Sequence, residues 1–232
     1  MKRILIVEDE AAIREFEAIN LKRVGYQTVE AGSGEEALEI YDSDIEGFDI
    51  ALIDVMMPGM DGFTLVKHLR ERSSTLGIIM LTAKSQEMDK ISGLMIGADD
   101  YVTKPFSPTE LLARVDSLYR RVSANSQKAG NQNELVSGDF VLNLRRRTLT
   151  KNSRNIELTQ VEFQIMEYFF TSPDTAISRR DILKKVWGEN YFGEEKIVDV
   201  NIRRLRIKIE DNPSDPKHIV TVWGMGYKWN AD

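Results

Sequence analysis

A parallel α/β sheet wound on both faces, followed by a smaller α+β unit, is the fold class that the sequence predicts. Three observations carry this expectation. Within residues 1–122, short apolar runs alternate with helical patterns five times, the signature of βα units whose sheet is covered on both faces. Residues 123–133, SANSQKAGNQN, contain no bulky apolar side chain and read as a flexible linker. From residue 134 to 232 the pattern changes to short strand-like pieces, three helix candidates and a glycine-punctuated, β-rich end.

The elements follow in order. Ile4-Leu5-Ile6-Val7 is the first strand, and Ala12, Phe16 and Ile19 then recur at helical spacing. Tyr26 to Val29 is a weaker strand, and Ser33 is placed to cap the helix that opens at Gly34-Glu35-Glu36. Ile50 to Ile53, Ile78 to Leu81 and Tyr101-Val102 are the third, fourth and fifth strands. Leu111, Val115, Leu118 and Val122 form the stripe of an amphipathic helix. Beyond the linker, Phe140 to Leu142 and Arg147 to Thr150 read as strands, and Ile219 to Trp229 as a closing β segment.

Composition narrows the function. The 232 residues are 42% hydrophobic and 29% charged, a balance typical of globular chains. With no Cys and only His68 and His218, thiol chemistry and Cys- or His-rich metal sites are excluded. No apolar run approaches the roughly 20 residues of a membrane span, and Met1-Lys2-Arg3 is followed by only four apolar residues. A cytoplasmic protein with no membrane partner is therefore expected. The net charge of -6 is unevenly spread: residues 1–122 carry 14 Lys+Arg against 22 Asp+Glu, and residues 123–232 carry 17 against 15. An acidic half joined to a mildly basic half suggests two jobs.

In a doubly wound sheet, ligands bind beyond the carboxyl ends of the strands. The first strand here ends in Glu8-Asp9-Glu10, the third in Asp54, the fourth in Thr82, and the fifth is followed by Lys104-Pro105. Converging carboxylates repel unless a hard cation binds, and oxygen ligands favour Mg²⁺. A lysine and a hydroxyl beside them make a site for a tetrahedral dianion. Each residue alone has a plainer reading: Asp61-Gly62 as a turn, Thr82 as a helix cap, Glu8-Asp9 as solvated surface. Their common placement at one sheet edge favours a single pocket. Gly32-Ser33-Gly34 has neither the lysine nor the spacing of a phosphate-binding loop.

These residues carry a resemblance. Glu8-Asp9, Asp54 to Gly62 (DVMMPGMDG), Leu81-Thr82-Ala83 and Asp99 to Phe106 (DDYVTKPF) resemble the receiver domain of two-component signalling over residues 2–122. The resemblance implies a flavodoxin-like receiver, residues 1–122, in which Asp54 accepts a phosphoryl group from a sensor histidine kinase. It implies that Glu8, Asp9, Asp54 and the backbone carbonyl of Met56 hold Mg²⁺. It also implies that Lys104 pairs with the phosphate, Thr82 swings its hydroxyl to it, Tyr101 turns inward behind, and Lys104-Pro105 is cis. Two rival readings fit the residues less well. An aspartyl-phosphate phosphatase needs a second carboxylate close after Asp54, where residue 56 is Met, and a cap insertion that the chain lacks. A degenerate receiver would have lost Asp9, Asp54, Thr82 or Lys104.

The third helix candidate of residues 134–232 places Val198, Ile202, Leu205 and Ile209 in one stripe, read as core. The opposite face holds Lys196, Val200, Arg203 and Ile207, flanked by Arg204 and Arg206. Five basic residues in 196–208 against Asp199 alone suit duplex DNA better than a merely solvated face. Residues 135–230 resemble the winged helix-turn-helix domain of the OmpR/PhoB class, on LTQVEF (158–163), Val186-Trp187-Gly188, VDVNIRRLR (198–206) and VTVWGMGY (220–227). A winged helix over residues 134–232 is therefore expected, with Lys196, Val200, Asn201, Arg203, Arg204 and Arg206 on promoter DNA, Trp223 at the tip of the wing, and the Gly188–Glu195 loop facing RNA polymerase. Trp223 stands where that class often has Arg, and it offers no cation. The resemblance further implies a homodimer on phosphorylation, through the helix before the fifth strand, that strand and the helix after it. Lys90–Glu110, Asp99–Arg114 and Asp100–Arg121 would pair between subunits around Leu94 and Ala113. The protein is then a regulator and not an enzyme, apart from its own phosphorylation and dephosphorylation.

Overall fold

The computed structural model describes residues 2–83, 96–123, 134–189, 191 and 193–230. The chain forms two compact units, Met1–Ser123 and Ala124–Asp232. Ten of the eleven expected linker residues, 124–133, lie outside the described residues, and Ser123 closes a helix.

In the first unit, β1 (Arg3–Val7), β2 (Gln27–Ala31), β3 (Ile50–Asp54), β4 (Gly77–Ala83) and β5 (Asp100–Lys104) form one parallel sheet in the order β2-β1-β3-β4-β5. The helices are α1 (Ala11–Arg23), α2 (Gly34–Ser43), α3 (Gly62–Arg72) and α4 (Pro108–Ser123). The unbroken apolar runs of β1 and β3 are fully buried, as a sheet covered on both faces requires. Ser33 caps α2 by accepting from the Glu36 amide, and Leu111, Val115 and Leu118 of α4 are packed into the core. The α1 stripe differs from the expectation. Phe16 and Ile19 face solvent, while Glu17, Ala18 and Leu21 face the core. The helical spacing holds, but the buried face is rotated from the expected stripe and includes a glutamate.

The chain runs from β1 out to β2 and returns on the other side to β3, so the topological switch lies between β1 and β3. The crevice at that switch opens beside Glu8 and Asp54.

In the second unit, β6 (Glu134–Ser137), β7 (Phe140–Asn143), β8 (Thr148–Lys151) and β9 (Arg154–Ile156) form an antiparallel sheet. Three helices follow, α5 (Gln160–Phe170), α6 (Arg179–Trp187) and α7 (Lys196–Ile209). A hairpin, β11 (Ile219–Val222) and β12 (Gly226–Trp229), pairs with the short β10 (Ile177–Ser178). Trp229 anchors the core, stacked on His218 and packed against Phe140 edge-on and Phe170, and its indole N–H donates to Ser137 Oγ at 2.7 Å. Gly226 is required where β12 crosses β10, since a Cβ there would collide with the Ile177 carbonyl.

Candidate functional site

Asp54 ends β3 and Glu8 follows β1, both buried, and with the more open Asp9 they bring carboxylate oxygens within 4.8 Å of one another. The turn after β3 is folded tightly beneath them: a Cβ on Gly62 would collide with the Asp54 carbonyl. Lys104, at the end of β5, reaches across β4 to the same point. Its Nζ lies 2.6 Å from Glu8 Oε2 and 3.1 Å from Asp54 Oδ1. Lys104-Pro105 is cis.

The electrostatics follow from burial. Desolvation pushes the Glu8 and Asp54 carboxyls up, against the pull of Lys104 on each. Burial alone would lower the Lys104 ammonium, but its bond to Glu8 and the charges of Asp54 and Glu8 raise it instead. The pocket therefore holds more carboxylate charge than one lysine neutralises. Three carboxylates offering hard oxygen donors fit a divalent cation such as Mg²⁺. Thr82, on β4 beside β5, is buried with its hydroxyl 3.5 Å from the Ala83 carbonyl, a contact weak enough to exchange. Tyr101 points inward, and Met56 is exposed at the rim.

Sequence reading missed Glu17. Its side chain is fully buried on α1, and neither carboxylate oxygen has a hydrogen-bond partner among the described residues. Its carboxyl is pushed up to about 8, by burial first and then by the charges of Glu8 and Asp54, against Lys104 and Arg14. An unfolded chain releases this proton near the ordinary 4.5, so the folded state holds it between about pH 4.5 and 8. The stability that this group allows falls as pH rises through that window. Glu17→Gln removes the titration. In urea titrations at pH 5.5 and 8.5, the variant should gain on the wild type at the higher pH by on the order of 2–4 kcal/mol. A gap independent of pH would show that Glu17 is solvated or paired.

The basic helix α7 departs from the expectation. Its buried side includes Val200, Asn201 and Arg204 as well as the predicted apolar stripe. Asn201 donates to the Ile197 carbonyl at 2.8 Å, and Arg204 lies 3.0 Å from the buried Glu162 carboxylate. These three were expected on DNA and instead serve the core, because α7 is covered over more than half of its circumference. Lys208 also pairs with Glu162, at 2.6 Å, and Arg206 donates to the Ile219 carbonyl and Thr221 hydroxyl of the hairpin. Arg203 and Lys196 are exposed, and Arg203 makes no ion pair among the described residues. A sequence signal for the Arg204 contact existed. Thr159-x-x-Glu162 is a capping box whose buried glutamate needs a cation.

On the expected dimer face, Lys90 and Leu94 lie outside the described residues. Asp99 is paired within the chain to Arg70 at 2.7 Å, and Asp100 to Arg114 at 3.1 Å. Arg114 also meets Glu110 at 3.0 Å, and Arg121 donates to the Ser117 carbonyl and hydroxyl. Ala113 is exposed. Among the described residues, Asp99 and Asp100 thus pair with Arg70 and Arg114 of the same chain, where Asp99–Arg114 and Asp100–Arg121 are expected between subunits. Both aspartates are fully buried, and each makes an ion pair within its own fold.

Both units are similar to known domains. Residues 4–116 match the response regulator receiver domain, and residues 153–229 match the C-terminal domain of transcriptional regulatory proteins. The sensory transduction protein RegX3 of Mycolicibacterium smegmatis is 40% identical over 98% of this chain and 99% of its own. The response regulator DrrB, an OmpR/PhoB homologue of Thermotoga maritima, is 30% identical with a TM-score of 0.51 over 99% of both chains. A RitR mutant structure, 24% identical, shares the fold with a TM-score of 0.78 over 99% of both chains. Among the described residues no helix is long and apolar enough to cross a membrane. The chain belongs to the OmpR/PhoB class of two-component response regulators, phosphorylation-dependent transcriptional regulators that couple a histidine kinase to DNA.

Proposed function

We propose that Asp54 is the phosphoacceptor and that its phosphorylation brings two chains together on promoter DNA in the cytoplasm. The observation that carries this reading is the convergence of Glu8, Asp9, Asp54 and Lys104 at the switch of the sheet. An Asp54 carboxylate oxygen attacks phosphorus, an O–P bond forms, and the P–N bond to the kinase histidine breaks. Lys104 is placed to leave Glu8 for the phosphoryl oxygens, and the loosely held Thr82 hydroxyl to donate to another. Tyr101, buried on the neighbouring strand, would turn inward behind Thr82. Glu8, Asp9, Asp54 and the Met56 carbonyl would hold Mg²⁺, which when bound neutralises charge on the transferring group. Phosphoryl transfer needs little beyond positioning and neutralisation. In a phosphate-affinity gel, acetyl phosphate with Mg²⁺ should retard the wild type, and EDTA should abolish the shift. A shift unchanged by EDTA would contradict the assigned carboxylate set.

Dimerisation is proposed through β5 and α4, with Glu110 and Ala113 at the contact and the Arg70–Asp99 and Arg114–Asp100 pairs holding the face in shape. Sedimentation velocity with beryllofluoride should convert the wild type from monomer to dimer, and Ala113→Arg should stay monomeric. A monomer in both states for the wild type would sink this part of the reading. DNA is assigned to the exposed side of α7, on Lys196 and Arg203, and RNA polymerase to the 188–195 loop, of which Asn190 and Phe192 lie outside the described residues.

A further inference from the structure

The loop between β3 and α3, residues 55–61, contains Met56, whose backbone carbonyl is assigned to the cation. Its base is closed. The Val55 amide donates to the Leu81 carbonyl at 2.9 Å, and the Gly62 amide returns to the Val55 carbonyl at 3.1 Å. Asp61 caps α3 by accepting from the Thr64 amide at 2.7 Å. Between these fixed ends runs Met57-Pro58-Gly59-Met60, with Pro58 and Gly59 exposed. Proline has no amide to donate, and Gly59 takes a φ of +78° that other residues avoid. Such a stretch has little of its own to fix its shape.

One side chain holds this arm. Glu35, in the first turn of α2, accepts from the Met60 amide at 2.9 Å. Residues 57–60 make no other hydrogen bond among the described residues. The fit around the bond is close. A Cβ on Gly34 would lie 2.9 Å from the Met60 carbonyl and side chain, and a Cβ on Gly59 would meet Glu35 Oε1 at 3.0 Å. Helix α2 thus approaches the loop as nearly as glycine on both sides allows. The segment carrying Glu8 and Asp9 is tied more heavily. The Glu8 amide donates to the Ala31 carbonyl at 3.1 Å, and Arg14 of α1 donates to the Glu8 and Asp9 carbonyls.

Glu35 is exposed, and a hydrogen bond in water adds little to global stability. Its consequence is local. Mg²⁺ demands near-octahedral geometry, so a backbone ligand that drifts is lost although its chemistry is unchanged. Groups outside the ligand set that orient the ligands change metal affinity by roughly 10- to 100-fold. Resting on the assignment of Mg²⁺ to Glu8, Asp9, Asp54 and the Met56 carbonyl, we propose that Glu35 is a positioning residue for the phosphorylation site. By clamping the Met60 amide it keeps the loop, and with it the Met56 carbonyl, in place for the cation. Helix α2 contributes no ligand and yet sets the affinity for the metal.

An acidic residue in the first turn also serves its own helix through the dipole, and the variants separate the two roles. The full-length protein is titrated with Mg²⁺ alone by calorimetry, and exchange of the Met60 amide is followed by NMR. Glu35→Ala should weaken Mg²⁺ binding roughly tenfold and speed Met60 exchange, with the urea midpoint little moved. Glu35→Gln keeps an acceptor without the charge and should stay near the wild type in both readouts. Gly34→Ala keeps the charge, favours the helix and pushes Met60 away, so it should also weaken binding. Asp9→Asn, a direct ligand, should bind Mg²⁺ least. Wild-type affinity in both Glu35→Ala and Gly34→Ala, with loss in Asp9→Asn, would overturn the inference while leaving the carboxylate set intact. Equal weakening in Glu35→Ala and Glu35→Gln would assign the effect to charge and also overturn it. Wild-type affinity in Asp9→Asn would remove the carboxylate set, and the inference with it.

Discussion

Asp54→Asn should abolish phosphoryl uptake from acetyl phosphate altogether. The amide has nearly the shape of the carboxylate but is not a nucleophile at neutral pH, and Glu8 cannot replace it because Lys104 covers it at 2.6 Å. The variant should fold at least as stably as the wild type. Burial raises the Asp54 carboxyl, so its charge opposes folding at neutral pH, and Asn removes that charge. Lys104 keeps Glu8 as its partner. Unchanged melting with complete loss of the retarded band is the expected pattern. An acid-stable, base-labile phosphoryl group persisting on the variant would move the acceptor elsewhere, and a collapsed melting transition would assign Asp54 to structure instead.

The second large effect is expected far from phosphorylation. Glu162 is fully buried, bonded to the Thr159 amide at 2.8 Å and paired with Lys208 and Arg204. Arg204 Nε lies 3.0 Å from Oε1, yet that oxygen has no aligned hydrogen bond, so this contact is ionic rather than a directed bond. Burial would raise the Glu162 carboxyl, but Arg204 and Lys208 hold it below the usual range. Stability from this group is present above the unfolded value and is lost as pH falls through the folded one. Arg204→Ala leaves the carboxylate short of a partner in a dry site and should destabilise the second unit by ~3–5 kcal/mol. Replacing Arg204 with Met and Glu162 with Leu together should cost less than Arg204→Ala alone, because no charge is then stranded. Equilibrium urea unfolding of the three variants checks this. Wild-type stability in Arg204→Ala, with weakened DNA binding, would return Arg204 to the DNA face.

These cases show where the sequence was legible. The five strands could be read because β1, β3 and β4 are near-continuous apolar runs that only a doubly covered sheet buries. The pocket could be read because the fold places the residues after β1, β3 and β5 at one edge whatever the side chains do. What escaped were contacts that depend on reach between distant segments. Arg204 finds Glu162 across 42 positions, and Arg70 finds Asp99 across 29. Helical periodicity assigns a polar or charged residue to the surface by default, so Asn201 and Arg204 are expected outside and nothing marks Glu17 as buried. Burial of a polar group is decided by its partner, and a single stripe of sequence does not contain the partner.

Charge placed on Asp54 is proposed to govern DNA binding by the second unit. Fluorescence anisotropy of a duplex selected from a random pool measures it directly, with wild type and Asp54→Asn each titrated with and without acetyl phosphate and Mg²⁺. Phosphorylation should tighten wild-type binding at least about tenfold, the gain expected when two linked sites are engaged together, and leave Asp54→Asn at the unphosphorylated level. Equal affinity for the phosphorylated and unphosphorylated wild type, or the same gain in Asp54→Asn, would contradict it.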